Sequence, residues 1–312
     1  MMKDYRQLTW DADVEHDCRQ IVRLAILEDL ERGQDWTTVS LASEAAQAAA
    51  NVVARKPGVI AGIEAARIVL EEMEIAAAWE PHVLDGAHVE RGTIVARLQG
   101  PARGLLTAER TLLNMMGRMS GIATLTAQYV AAIAGTGARI YDTRKTTPGW
   151  RRLEKYSVRC GGGYNHRLGL FDGVLIKDNH LALGRHGERG TLYTPAEAVI
   201  RARQFLQQYG AGQERYTEMM VEVEVDSLEQ LREVLPTGPD IVLLDNMTPP
   251  TLREAVTIRD QIAPTVELEA SGGITLETIR SIAETGVERI SSGALTHSAI
   301  VLDLALDWEE AT

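Results

Sequence analysis

The spacing of apolar and polar positions divides this chain into two textures. Over 14–32, Cys18, Ile21, Val22, Leu24 and Ala25 fall on one face at helical spacing, with Glu28 interrupting the stripe near its end. Gly33 ends that helix and Asp35 opens the next turn. A strand is expected at 51–55, a turn at Pro57-Gly58, a helix at 63–73, and strands at 76–84 and 93–98. Strands and helices here do not alternate regularly, which reads as an α+β domain. Helical patterns come next at 107–119 and 122–134, with a break expected at Ser120-Gly121.

After Gly135 the alternation becomes regular. Strand-like runs at 138–141, 173–176, 220–225, 241–244, 266–268 and 289–291 are separated by helical patterns such as 195–208, 228–235, 250–262 and 276–284. This predicts a parallel sheet with crossover helices, about six strands and room for one more, fewer than a complete TIM barrel holds. Residues 184–193 form a longer polar loop than such a connection needs. Residues 300–312 read as a helix with an acidic end.

Composition adds exclusions. With 312 residues, 45% hydrophobic and 24% charged, the chain is an ordinary globular protein of one or two domains. A pI near 5.1 argues against general nucleic-acid binding. Cys18 and Cys160 form no CxxC, so a disulfide framework or structural zinc site is not expected. No long apolar run and no signal-like N-terminus are present, so the cytoplasm is the expected location and no membrane is a partner. GxGxxG, Walker A and HExxH motifs are missing, which disfavours nicotinamide dehydrogenases, P-loop NTPases and zincins.

Charge singles out residues 141–180, YDTRKTTPGWRRLEKYSVRCGGGYNHRLGLFDGVLIKDNH. They carry net +4 inside a chain of −12, leaving −16 on the remaining residues. A solvated helix face accounts for part of this island. On 148–160, Leu153, Tyr156 and Cys160 should be buried, while Arg152, Lys155 and Arg159 share another face, solvated or at a site mouth. Arg144, Lys145, Arg167 and Lys177 lie instead at strand ends or in loops, as a pocket for a multiply anionic small molecule requires.

The strand ends repeat this logic. They carry Asp142-Thr143-Arg144-Lys145, Lys177-Asp178, Glu222 and Glu224, Asp245-Asn246, Ser271-Gly272-Gly273 and Ser292-Gly293-Ala294. In a parallel α/β barrel these ends form one face. Arg144 and Arg167 can grip carboxylates bidentately, and Lys145 and Lys177 suit phosphate or pyrophosphate. Glu224 and Asp245 can hold sugar hydroxyls, directly or through Mg²⁺, or pair with Lys177 or Arg144. The two glycine turns expose N–H groups as a phosphate cradle. His166 beside Arg167 comes after a triglycine that lets the backbone approach something closely.

These residues closely resemble quinolinate phosphoribosyltransferase, the carboxylating nicotinate-nucleotide pyrophosphorylase. The resemblance runs through EDLERGQDWTT near Asp29, AERTLLNMMGRMSGIAT from Ala108 and DTRKTTPG from Asp142. It continues through KYSVRCGGGYNHRLGLFDGVLIKDNH from Lys155, VEVEVDS from Val221, LLDN from Leu243, EASGGI from Glu269 and GALTHS from Gly293. The main departure is a longer segment at 184–218. The resemblance implies an N-terminal α+β sandwich domain at 1–116, an incomplete TIM-like parallel α/β barrel at 117–296, and a C-terminal segment at 297–312 returning to the first domain. It implies transfer of phosphoribosyl from phosphoribosyl pyrophosphate to quinolinate in NAD biosynthesis. It also implies a homodimer with shared sites, Arg110 coming from the neighbouring subunit. By the same match Arg144, His166, Arg167 and Lys177 bind the dicarboxylate. Lys145 serves the pyrophosphate side, and Thr143 is a further substrate-binding residue. Glu224 and Asp245 hold ribose and Mg²⁺, and Ser271, Gly272, Gly273, Ser292, Gly293 and Ala294 hold the 5-phosphate. Lys145, Lys177, Glu224 and Asp245 are the expected catalytic set. A paralogue of the same fold with another acceptor is the competing enzyme. A sensor that kept the pocket and lost catalysis is the competing class.

Overall fold

The computed structural model describes residues 3–185, 190–210 and 213–309, which fold as two units. One unit contains Leu8–Gln128, Lys145–Gly163 and the residues from Leu295 onward; the other contains the residues up to Gln7, Tyr129–Arg144 and Tyr164–Ala294.

The first unit holds strands β1 (Gln47–Ala54), β2 (Gly58–Val59), β3 (Ala78–Pro81), β4 (His88–Val89) and β5 (Ile94–Pro101). Its main sheet is antiparallel and runs from the C-terminal strand Leu304–Trp308 through β1 and β5 to β3. Helix Ala12–Leu30 begins where the Asp11 carboxylate accepts from the N–H groups of Asp13 and Val14. Val14, Cys18 and Val22 are its buried residues, whereas Leu24, expected on the apolar face, is exposed. Asp35 caps the next helix by accepting from Thr38 N–H at 3.0 Å.

Cys160, expected buried, is half-buried, and three larger expectations also fail in this unit. The break at Ser120-Gly121 does not occur, because Ala102–Ala132 is one continuous helix. Ser120 Oγ accepts from Ala61 N–H at 2.9 Å and donates to Ala61 O at 3.0 Å, and the missing Cβ of Gly121 leaves room for the Ile300 carbonyl. Both residues serve helix packing rather than termination. The C-terminal helix is instead the strand Leu304–Trp308, antiparallel to β1 with Val52 opposite Leu306. Lys155, placed on a solvated or site-mouth face of 148–160, is fully buried on helix Arg151–Cys160. The triglycine does mark a close approach: Cβ atoms at Gly161 and Gly163 would strike Ala123 and Thr126 of the long helix.

The second unit holds β6 (Arg139–Tyr141), β7 (Val174–Ile176), β8 (Val221–Val225), β9 (Ile241–Asp245), β10 (Glu267–Ser271) and β11 (Arg289–Ser291). They form one parallel sheet in the order β6-β11-β10-β9-β8-β7. Tyr164 makes a parallel bridge to Tyr141, so a seventh extended segment lies outside β6. Val221, Val223 and Val225 alternate along β8 with Glu222 and Glu224, which puts the two acids on one face. Three crossover helices begin at hydroxyl caps: Thr194 for Pro195–Tyr209, Ser227 for Leu228–Val234 and Thr248 for Pro249–Ile262. Gln7 ties the N-terminal segment in, its amide accepting from Asn165 N–H and donating to Asn165 O.

Candidate active site

The carboxyl ends of the barrel strands carry most of the expected residues. Asp142, just past β6, is fully buried and organises the loop at 164–167. Its Oδ1 accepts from His166 N–H at 2.9 Å and its Oδ2 from Asn165 Nδ2 at 2.6 Å. The loop is thereby held beside β6, with Thr143 half-buried and Arg144 exposed at the strand's end. Arg167 is 6% exposed; its Nη1 donates to Gly173 O at 3.0 Å, while its Nε is buried without a hydrogen-bond partner. Burial holds the Arg167 guanidinium below its usual pKa, and the like charge of Arg144 pushes the same way. A second cation beside a buried, under-bonded guanidinium makes a place where an anion is stabilised.

His166 is 5% exposed, and the Tyr5 ring packs on its imidazole. Its Nδ1 accepts from Arg167 N–H at 2.8 Å, which leaves the proton on Nε2, 3.0 Å from Glu222 Oε2.

The acidic pair divides its work. Glu224, at the end of β8, makes an ion pair with Lys177, the partner anticipated as one of its alternatives. Asp245, at the end of β9, accepts from Asn246 Nδ2 at 2.8 Å. The strands are neighbours, with Glu224 opposite Leu243. Two carboxylates on adjacent strand ends fit Mg²⁺, which takes one or two protein carboxylates and completes its shell with substrate oxygens and water. Among the described residues only His166, Glu222 and Glu269 bring three ligand-type groups together. There Tyr5 Oη donates to Glu222 at 2.7 Å and Arg289 Nε to Glu269 at 3.0 Å, so the cluster is an ion-pair network of the barrel interior.

The two glycine turns differ. Gly272 and Gly273 both have positive φ, 96° and 60°. A Cβ on Gly272 would lie 2.1 Å from Asn246 Oδ1, and Asn246 N–H bonds Ser271 O, so β9 and β10 end in one interlocked turn. Ser292, buried after β11, donates from its backbone to Tyr141 O, and its Oγ accepts from Ala294 N–H at 3.3 Å, with Gly293 half-buried between them.

Arg110 and Lys145 belong to the first unit. Arg110 is exposed in the first third of the long helix and lines a concavity of about 490 Å³ with Asp29, Asn114 and Arg118. Lys145 is exposed, and its carbonyl accepts from Thr296 Oγ1 at 2.8 Å.

Sequence reasoning assigned no role to Tyr5, Gln7 or Glu222. Only Glu222 gave a signal, as an acid at a buried position of the alternating run VEVEV. Tyr5 and Gln7 lie in a segment without periodicity.

An open parallel barrel with cationic and acidic side chains at the carboxyl ends of its strands is the arrangement of an α/β-barrel enzyme acting on a small anionic substrate. Comparison with known proteins narrows that class. Residues 35–120 match the quinolinate phosphoribosyl transferase N-terminal domain, and residues 122–307 match its C-terminal domain. A nicotinate-nucleotide pyrophosphorylase [carboxylating] of Mycobacterium leprae is 46% identical over 299 residues, covering 95% of this chain and 99% of that protein. A probable enzyme of the same name from Bacillus subtilis is 40% identical, covering 93% and 92%. The solved nicotinate-nucleotide pyrophosphorylase of Francisella tularensis superposes with a TM-score of 0.82 at 32% identity, covering 99% of this chain and 100% of that one. The chain belongs to the quinolinate phosphoribosyltransferase family.

Proposed function

We propose that this enzyme converts quinolinate and phosphoribosyl pyrophosphate to nicotinate mononucleotide, pyrophosphate and CO₂, in NAD biosynthesis. The observation that carries the reading is Arg167, buried with an unpartnered Nε and facing the charge of Arg144. Together with Lys177 they bind the two carboxylates of quinolinate. His166 belongs to the same loop. Ser271, Gly272, Gly273, Ser292, Gly293 and Ala294 hold the 5-phosphate, and Lys145 serves the pyrophosphate.

The chemistry asks mainly for placement. Pyrophosphate departure leaves an oxocarbenium-like ribose carbon, and the pyridine nitrogen attacks with its own lone pair, so no general base is required. Mg²⁺, when bound at Glu224 and Asp245, supplies positive charge for the diphosphate and orients the ribose. Ribosylation makes the ring cationic, and that charge stabilises the carbanion left at C2 when the 2-carboxylate leaves as CO₂; a proton from water then occupies C2. Lysine donors aimed at the leaving group contribute about 3 kcal/mol each, the usual scale for a preorganised donor. The chain's own contribution is to hold two anions together against their repulsion.

CO₂ release from carboxyl-labelled quinolinate tests the reading, with a nicotinate control. Release that requires phosphoribosyl pyrophosphate and Mg²⁺ supports it. A folded protein that binds phosphoribosyl pyrophosphate yet releases no label would move the assignment to a paralogue with another acceptor.

The working form is a cytoplasmic homodimer in which Arg110 of the partner subunit completes each site. Its exposure on a long helix, in a concavity with other charged side chains, supports this placement. Mixing Arg110→Ala with Lys145→Ala chains should restore part of the activity each lacks alone. Hybrid dimers that form and stay inactive would remove the shared site.

A further inference from the structure

The N-terminal segment reaches the substrate loop through one chain of contacts. Tyr5 is 3% exposed, and its hydroxyl donates to Glu222 Oε2 at 2.7 Å. The same oxygen lies 3.0 Å from His166 Nε2. The Tyr5 ring also packs on the imidazole, centroids 4.6 Å apart and planes 30° from parallel. On the far side of the imidazole, Nδ1 accepts the backbone N–H of Arg167. Glu222 itself is fully buried, yet its carboxyl is held below the usual range: burial opposes the charge, and His166, Arg289 and the Tyr5 hydroxyl outweigh it. Gln7 fixes the same loop from its other end through Asn165.

We propose that Tyr5 and Glu222 are positioning residues for Arg167, acting through the His166 imidazole. Neither is placed against substrate. Glu222 fixes the tautomer and orientation of His166, and His166 fixes the peptide that carries Arg167. The guanidinium therefore meets a carboxylate already placed, without having to be ordered by it. The inference rests on the reading of Arg167 as a quinolinate ligand.

The test is a KM comparison for both substrates, with Arg167→Ala as the control on that underlying reading. Tyr5→Phe keeps the stacked ring and removes only the hydroxyl. It should raise the quinolinate KM about five-fold, the loss of one hydrogen bond, with the phosphoribosyl pyrophosphate KM unchanged. Glu222→Gln keeps an acceptor for both donors and should lie close to wild type, whereas Glu222→Leu should exceed Tyr5→Phe. In a His166→Ala background the effect of Tyr5→Phe should vanish, because the route to Arg167 is already cut. An unchanged quinolinate KM in Tyr5→Phe overturns the proposal, as does an equal rise in both KM values or an undiminished effect without His166. If Glu222→Leu does not fold, Tyr5→Phe and its double variant still decide the matter. If Arg167→Ala itself leaves the quinolinate KM unchanged, the failure lies in the reading of Arg167.

Discussion

Two buried arginines of the barrel, Arg289 and Arg167, have opposite surroundings. Arg289 opens β11 inside a cage of acids: Asp4 at 2.9 Å, Glu269 at 3.0 Å and Glu267 at 3.1 Å. Its guanidinium lies 3.7 Å from the centroid of the Tyr141 ring. Burial works against its charge, but Glu269, Tyr141, Asp4 and Glu222 push its pKa above the ordinary range. Arg139 on the neighbouring strand joins the network through Glu267 and Asp4. Arg167 is buried too, yet burial and the like charge of Arg144 lower its pKa against the opposite pull of Tyr5, Glu222 and Asp172. Among the described residues it makes no close carboxylate pair of the kind that surrounds Arg289; each of the two guanidiniums keeps one buried nitrogen without a hydrogen-bond partner. A buried cation inside a carboxylate cage is part of the fold, and one whose pKa is pulled down by burial and a like charge gains from an anionic ligand.

The largest effect should come from breaking the cage. Arg289→Leu leaves Glu269 buried without its cation and Glu267 with Arg139 alone, and should cost about 3–5 kcal/mol of stability in urea unfolding. A loss near zero would erase the distinction between the two arginines. Arg167→Leu should do the reverse. Quinolinate KM should rise roughly 10- to 100-fold, the scale of a charged hydrogen bond, while the unfolding midpoint holds or increases. A large stability loss with normal quinolinate KM would make Arg167 a second structural cation and return the anion site to Arg144 and Lys177 alone.

The sequence made one side of this contrast readable. Arg144, Arg167 and Lys177 stood out because they lie at strand ends in a positive island, and strand ends can be placed from local periodicity. The cage was not readable, because Asp4, Glu267 and Arg289 are apart in the chain and only the folded parallel sheet, with the N-terminal segment against it, makes them neighbours. The same holds for the elements misread. Ser120 and Gly121 look like a helix break, but tertiary contacts with Ala61 and Ile300 use them inside a helix. Leu304–Trp308 has an acidic, helix-compatible neighbourhood, but its ladder partner β1 lies some 250 residues earlier, and such pairing leaves little local trace. Lys155 sits among charges in the sequence and is nevertheless buried in the fold.

The smallest of these effects, and the one that separates the two regions by proton linkage, concerns acid. Tyr5, His166, Arg289, Glu269 and Arg167 all act on Glu222, and its carboxyl is held below the usual range in the folded protein. An unfolded glutamate titrates near pH 4.3, so below that point the unfolded chain binds the proton that the folded chain refuses. The stabilisation from Glu222 is thus full above about pH 4.3 and drains as pH falls toward the depressed folded value. Glu222→Gln should therefore give a shallower loss of melting temperature between about pH 5 and pH 3, whatever it does at neutral pH. Arg167→Leu removes no carboxylate and should keep the wild-type acid limb. Melting curves across that range check both variants at once. Equal slopes for wild type and Glu222→Gln would show that Glu222 is not an ionised member of the cage, and the contrast between a caged and a waiting cation would then rest on Arg289 alone.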